Sequence, residues 1–383
     1  MRLYRSQKLM RPDLQAHIYS DALLGNMRKL KGLCPAGTKM CAVVKANAYG
    51  HGIEEAVNIL KEAEVEFFAV SSVYEAIHIS PMVKKQKIFI LEAINEFMAP
   101  DLIDYCGKQD FHCAISSLDG LEHAAKVLSG SKHVINLHVN IETGMGRCGV
   151  DGDYAVKLIE KIDKCANTRL GGVYTHFATA DEEDLTYAYE QLENFNDFLD
   201  KAKIREREDV IVHAANSAAT IKIPQAHFDM VRCGISLYGY YSRPMVDAPI
   251  KLEPVVKLQA PIVQLKKIPK GHTVSYGCSF ITKRDTVVGI VPHGYADGYW
   301  RAFSNNAKMI VGGKVIDVIG RVCMDQVLID VTDVRGVSVG QMATIIDNDM
   351  ESPCSAYALA DIAGTICYEI LICIHAHVTK IVH

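Results

Sequence analysis

With 383 residues the chain exceeds the roughly 250–300 residues at which one hydrophobic core stops growing, so two domains are expected. A net charge of −4 and the lack of any dense Lys/Arg block exclude the electrostatic footprint of a nucleic-acid or anionic-membrane binder, leaving a small molecule as the expected partner. No stretch approaches the ~18–20 apolar residues that span a bilayer, and the first 15 residues carry four basic side chains without the apolar centre of a signal peptide, so a cytoplasmic location is expected. The 12 cysteines are scattered, several lie inside apolar runs (Cys41, Cys113, Cys373), and none forms a Cys-x-x-Cys pair. That pattern reads as buried reduced thiols, with neither disulfides nor a zinc site.

In chain order, β-type runs at residues 40–44, 67–70, 87–91, 111–115, 134–139, 171–175, 210–213 and 230–236 alternate with helix-period segments. One such segment is 53–63, apolar at Ile53, Ala56, Val57 and Leu60, and another is 183–203. Eight strands with intervening helices predict an α/β fold, a (β/α)8 TIM-type barrel over 1–245, with a doubly wound open sheet as the alternative. Residues 242–254, with three prolines, read as a linker. Beyond it, runs at 255–258, 286–291, 308–311, 315–318, 326–331 and 342–346 between Gly, Pro, Asp and Asn predict a mostly antiparallel C-terminal β-domain over 246–383. Residues 356–372 read as a helix and turn carrying Tyr368, followed by a closing strand through Val382.

Lys45, Arg147, His176, Ser217 and Arg232 each fall at or just past the carboxyl end of a predicted strand, where barrel active sites are built. Lys45 follows the apolar run 41–44, and burial there favours the neutral amine that forms a Schiff base with a carbonyl. The bland alternatives are a snorkelling Lys45, a structural salt bridge for Arg232, a helix cap at Ser217, a core Met324 and a turn tyrosine at Tyr276.

The segment Val44-Lys45-Ala46-Asn47-Ala48-Tyr49-Gly50-His51-Gly52 resembles the pyridoxal-phosphate lysine motif of alanine racemases. Thr143-Gly144-Met145-Gly146-Arg147, Tyr174-Thr175-His176-Phe177, Asn216-Ser217, Val231-Arg232-Cys233-Gly234-Ile235, Val274-Ser275-Tyr276-Gly277, Gly294-Tyr295-Ala296-Asp297-Gly298-Tyr299 and Cys323-Met324-Asp325-Gln326 follow in that family's order. The resemblance implies that Lys45 holds pyridoxal 5'-phosphate as a Schiff base and acts as acid and base on one face of the substrate. It implies Tyr276, from a second subunit, as the base on the other face, contacting His176, which meets Arg232. A free phenol titrates near ~10, so Tyr276 needs such neighbours to work at neutrality. Arg232 would face the pyridine nitrogen. A guanidinium only donates, which weakens the electron sink and suppresses transamination. Tyr49, Asn216, Ser217, the backbone of Gly234 and Ile235, and Tyr368 would surround the phosphate. Arg147 would face the cofactor phenolate and the substrate carboxylate, which the Met324 amide also meets.

Two positions depart from the family pattern. Asn140 stands where a carbamylated lysine often neutralises the arginine, which implies an anion such as chloride near Asn140 and Arg147. Cys367 stands where asparagine is common. The implied protein is a cytoplasmic homodimer with composite sites that interconverts L- and D-alanine for peptidoglycan. A serine or broad-specificity racemase of the same fold is the first rival, although the Tyr368 ring beside Cα argues for a small substrate. A barrel-fold decarboxylase and a non-catalytic pyridoxal-phosphate carrier are further ones.

Overall fold

The computed structural model describes residues 11–244 and 248–383. After a first strand, β1 (Arg11–Ile18), eight parallel strands close a barrel: β2 (Lys39–Val43), β3 (Phe67–Val70), β4 (Lys87–Ile94), β5 (His112–Ile115), β6 (Ile135–Asn140), β7 (Thr168–Tyr174), β8 (Ile211–His213) and β9 (Met230–Cys233). The ring closes where Cys41 on β2 pairs with Arg232 on β9. All residues of β3, β5, β6 and β9 are buried, as strands covered on both faces require. The helix Ile53–Leu60 buries Ile53, Ala56, Val57 and Leu60, the residues its periodicity selects. Strand β9 ends at Cys233, three residues before the expected end, because Gly234 begins a turn.

The second half forms β10 (Val256–Pro261), β11 (Gln264–Ile268), β12 (Thr273–Val274), β13 (Phe280–Ile281), β14 (Thr286–Val291), β15 (Lys308–Val311), β16 (Lys314–Asp317), β17 (Val327–Asp330), β18 (Met342–Ile346) and β19 (Val378–Val382). Its main sheet has the order β16-β15-β18-β10-β1-β19, so β1 leaves the barrel half of the chain and pairs antiparallel with β10 and parallel with β19. Alternation explains it: Leu14, Ala16 and Ile18 are fully buried while the residues between them are only partly covered, the pattern of a strand with one covered face. Burying a leucine or isoleucine contributes about 1.5–3 kcal/mol, enough to pin this strand to the far sheet. One continuous core runs from Leu14 through the barrel to Val378, and a separate small cluster of Val274, Val288 and Ile319 supports the β12–β13 hairpin. Residues 1–10, part of the 15-residue segment that lacks the apolar centre of a signal peptide, and 245–247, within the expected linker and at the expected domain boundary, lie outside the described residues. Among the described residues no helix is long and apolar enough to cross a membrane.

Candidate active site

At the carboxyl end of β2 the chain turns left-handed: Ala46, Asn47, Ala48 and Tyr49 all have φ between 52° and 56°. For non-glycine residues this costs about 1–2 kcal/mol each, so the turn exists only because its surroundings hold it. Glu75 Oε1 accepts from the Ala46 amide at 2.8 Å, Asn47 Oδ1 accepts from Ile53 N at 3.0 Å, and the Ala48 amide reaches Val44 O at 2.9 Å. Gly50, at φ 84°, sits against the Leu371 carbonyl, where a Cβ would collide. The turn thus aims Lys45 and Tyr49 into one cavity of about 410 Å³ and docks the helix Cys367–Ile372, which brings in Tyr368. Burial pulls the Lys45 ammonium down from its ordinary value and the Arg147 charge adds to this, while Glu75 opposes it. The balance brings Lys45 closer to the free amine than an exposed lysine.

One end of the cavity is rich in donors. Ser217 Oγ accepts from the Gly234 amide at 2.9 Å and from Ser236 Oγ at 3.0 Å. Asn216, not Ser217, caps the helix Ser217–Lys222, its Oδ1 accepting from Ala219 N at 3.0 Å. Gly234 packs against the Tyr49 hydroxyl, where any Cβ would collide, so only glycine lets backbone and phenol meet. Gly234 opens a turn and not a helix, so any anion here is held by side chains and turn amides. Ile235 lines the same end. The Tyr49 and Tyr368 rings lie 6.0 Å apart, Tyr368 Oη is 2.8 Å from Ser242 Oγ, and burial holds both phenols protonated. Such a cluster suits a phosphate.

Arg232, 4% exposed, lines the same cavity. Nη1 donates to His213 Nδ1 at 2.9 Å, and Nη2 to the carbonyls of Thr175 at 2.9 Å and Ala214 at 3.0 Å, with His176 Nδ1 at 3.4 Å. Its guanidinium lies 5.3 Å from the Tyr174 ring centroid. Burial lowers its pKa and Tyr174 raises it, but the ordinary value is so far above neutrality that Arg232 stays charged. No ion pair among the described residues includes it, which removes the structural salt bridge as its role. His176 is pushed down to about 3 by burial and by Arg232, Arg147 and Lys45, so its imidazole is neutral and can accept from Arg232.

Asn140 and Arg147 line the rim. Arg147 is exposed in this chain, so burial imposes no penalty on its charge here. A residue without any motif signal organises this rim: Glu142 Oε1 accepts from Gly144 N at 2.6 Å and Oε2 from Gly146 N at 2.9 Å, wrapping the turn that carries Arg147. Burial alone would raise the Glu142 carboxyl, and the turn amides bring it below its ordinary value. Ser71, Glu92, Cys148 and Ser242 also line the cavity without having been singled out in the sequence, as does Tyr174, quoted there only as part of a motif.

Tyr276 and Met324 are not among the cavity's lining residues. They are 70% and 54% exposed. The Tyr276 turn is braced by Ser275, at φ 64°, whose Oγ donates to Arg321 O at 2.6 Å, and the Ala296 amide donates to Met324 O at 2.9 Å. Both residues therefore sit on neighbouring loops of the β-domain.

The sequence model of the alanine racemase N-terminal domain matches residues 18–242, and that of its C-terminal domain matches 255–382. The alanine racemase of Clostridium novyi is 36% identical over 98% of this chain and 96% of its own length. That of Carboxydothermus hydrogenoformans is 38% identical over 97% of this chain and 100% of its own length. The solved structure of alanine racemase from Clostridium difficile 630 superimposes with a TM-score of 0.89 at 31% identity, covering 98% of this chain and 96% of that one. The chain belongs to the alanine racemase family.

Proposed function

We propose that this chain interconverts L- and D-alanine with pyridoxal phosphate held by Lys45, supplying D-alanine for peptidoglycan. Members of its family depend on that cofactor. The observation that carries the reading is the convergence, in one cavity, of an amine held toward its neutral form, a buried cation and a cluster of groups suited to a phosphate. These residues fit the group. Ser217, Tyr49, Tyr368 and the Gly234–Ile235 turn would hold its phosphate next to Asn216, while Arg232 would donate to its ring nitrogen. When bound, pyridoxal phosphate withdraws electrons from the substrate Cα and makes its proton removable.

Lys45 Nζ takes or returns that proton on one face. Tyr276 Oη of a second copy does so on the other, because a single base tends to return the proton to the side it left. The exposure of Tyr276 supports a homodimer in which each cavity is completed by the β-domain of the second copy. Neutral His176 accepts from Arg232 at Nδ1, which leaves its Nε2–H to steady the Tyr276 oxygen. Arg147 and the Met324 amide would receive the alanine carboxylate, with Asn140 and Arg147 holding a chloride between them. The barrel with its linker to residue 245 and the β-domain from 246, which β1 joins, form the two working units, in the cytoplasm.

The test is chiral analysis of the purified protein with L-alanine, L-serine and L-lysine, coupled to borohydride reduction and peptide mapping. D-alanine as the dominant product and a pyridoxyl group on Lys45 are expected. Faster turnover of serine would shift the reading to a serine racemase of the same fold, and label on any other lysine would remove Lys45 from the mechanism.

A further inference from the structure

Three histidines cross the inside of the barrel in series. His112 on β5, His138 on β6 and His213 on β8 are all buried, and none lines the cavity. His112 Nδ1 lies 2.8 Å from His138 Nε2, His138 Nδ1 lies 2.8 Å from His213 Nε2, and His213 Nδ1 lies 2.9 Å from Arg232 Nη1. Aromatic rings fix their orientation: Tyr174 stacks on His213 at 4.9 Å and 6°, and Phe89 meets the same ring edge-on at 5.4 Å. Imidazoles in place of apolar side chains forgo the gain from burying apolar surface there, so the row is costly unless its hydrogen bonds are complete.

A neutral imidazole has one donor and one acceptor nitrogen, so two in contact are free to point either way. Arg232 removes that freedom, because a guanidinium has only donors. His213 Nδ1 must accept from it, which places the His213 proton on Nε2 and directs it to His138 Nδ1. The same step repeats at His138, whose Nε2 proton goes to His112 Nδ1, leaving the His112 proton on Nε2. Every lone pair then faces Arg232 and every N–H faces the opposite end of the barrel. At that end Asp110, which pairs with Lys87 and accepts from Asn136 Nδ2 at 2.7 Å, sets a negative charge near His112 that favours the same direction, against the opposing charges of Lys87 and Arg169. Burial pushes all three rings down, His112 to about 4 and the other two well below their ordinary value, so the row is uncharged at neutrality.

We propose that His213, His138 and His112 are positioning residues for Arg232, forming a one-way row of neutral acceptors that fixes the guanidinium without cancelling its charge. A carboxylate would hold the arginine as firmly but neutralise the cation that faces the cofactor. The catalytic consequence rests on the reading of Arg232 given above, whereas the direction of the row belongs to the protein alone. Aligned bonds of this kind strengthen one another by about 10–30% each, so the ring farthest from Arg232 still senses it.

Nitrogen-15 histidine NMR of the full-length protein at neutral pH tests the direction. All three rings should carry their proton on Nε2. His138→Phe should leave His213 unchanged, still facing Arg232, but shift the His112 signal from the pure Nε2 form toward a mixture of tautomers, because Asp110, opposed by Lys87 and Arg169, then acts on it alone. His138→Gln, whose carbonyl accepts and whose amide donates, should keep His112 as in the native protein. A proton on Nδ1 of His213 or His138 in the native protein, or a His112 signal that stays the same in the Phe variant, overturns the proposal. If the Phe variant does not fold, the native tautomers and the Gln variant still decide. Kinetics supply the second readout: the Phe variant should lose about tenfold in kcat with alanine KM held within about twofold, and the Gln variant should recover most of it. Equal losses in both variants, or none in either, would take the histidines out of any positioning role. Borohydride labelling of Lys45 tests the function itself and is indifferent to these outcomes.

Discussion

At the scale of single residues, the site works through groups whose charge state is set by their neighbours. Lys45 is drawn toward the free amine by burial and by Arg147, His176 is kept neutral by burial beside the Arg232 and Arg147 guanidinium groups, and Arg232 stays charged among neutral acceptors. Glu142 is the residue whose contribution is least visible from sequence. It holds the Arg147 turn through two backbone amides while its carboxylate remains partly solvated, which moderates the energy involved. Glu142→Ala should therefore loosen Arg147 and raise the alanine KM about five- to tenfold, with a smaller change in kcat. Steady-state kinetics in both directions would show this. An unchanged KM would mean that the turn keeps its shape without the carboxylate.

Among the elements, the left-handed turn from Ala46 to Tyr49 couples the site to the fold. It is strained, and Gly50 lets it lie directly on the Leu371 carbonyl, so the same contact places Lys45, Tyr49 and Tyr368. Gly50→Ala should displace the helix Cys367–Ile372 and destabilise the protein by about 1–3 kcal/mol, with weaker cofactor retention. Urea denaturation and cofactor release on gel filtration would measure both, and native-like values would show that this contact is slack. The barrel strands were legible because each is an apolar run long enough to be covered on both faces, and the helix Ile53–Leu60 because its apolar residues fall on one side. Strand β1 was not, since Leu14, Ala16 and Ile18 give a weak alternating pattern and its partners lie more than 200 residues away in β10 and β19. Lys45, Arg232 and Ser217 were legible from strand ends and motifs. Glu142, Glu75 and the histidine row were not, because backbone amides and facing rings in three dimensions give their roles, and no local spacing encodes them.

For the whole molecule, the number of buried neutral histidines shapes stability against acid. His51 and His112 are pushed down to about 4 and His176 to about 3, with His138 and His213 also well below their ordinary 6.5. In the unfolded chain these rings take up protons as the pH falls through 6.5, while the folded chain does not until near 4 or lower. Stability from this source is thus complete above pH 6.5, falls as the pH drops, and stops falling below the folded values, for a combined loss on the order of 10 kcal/mol. Urea midpoints measured from pH 7.5 down to 5 should decline steadily, and a flat profile would mean that these rings are protonated in the folded state.

The proposed mechanism needs two bases from two copies of the chain, Lys45 in the cavity and Tyr276 on an exposed turn. Lys45→Ala and Tyr276→Phe proteins should each be nearly inactive as racemases. Unfolded together in equal amounts and refolded, they form hybrid dimers in which one site has lost both bases and the other has kept both. With random pairing, half of the dimers are hybrids with one intact site of two, so the mixture should regain about one quarter of the native alanine racemisation rate. A mixture that stays as inactive as its parts, with hybrid dimers demonstrated by mass, would contradict a site shared between two subunits.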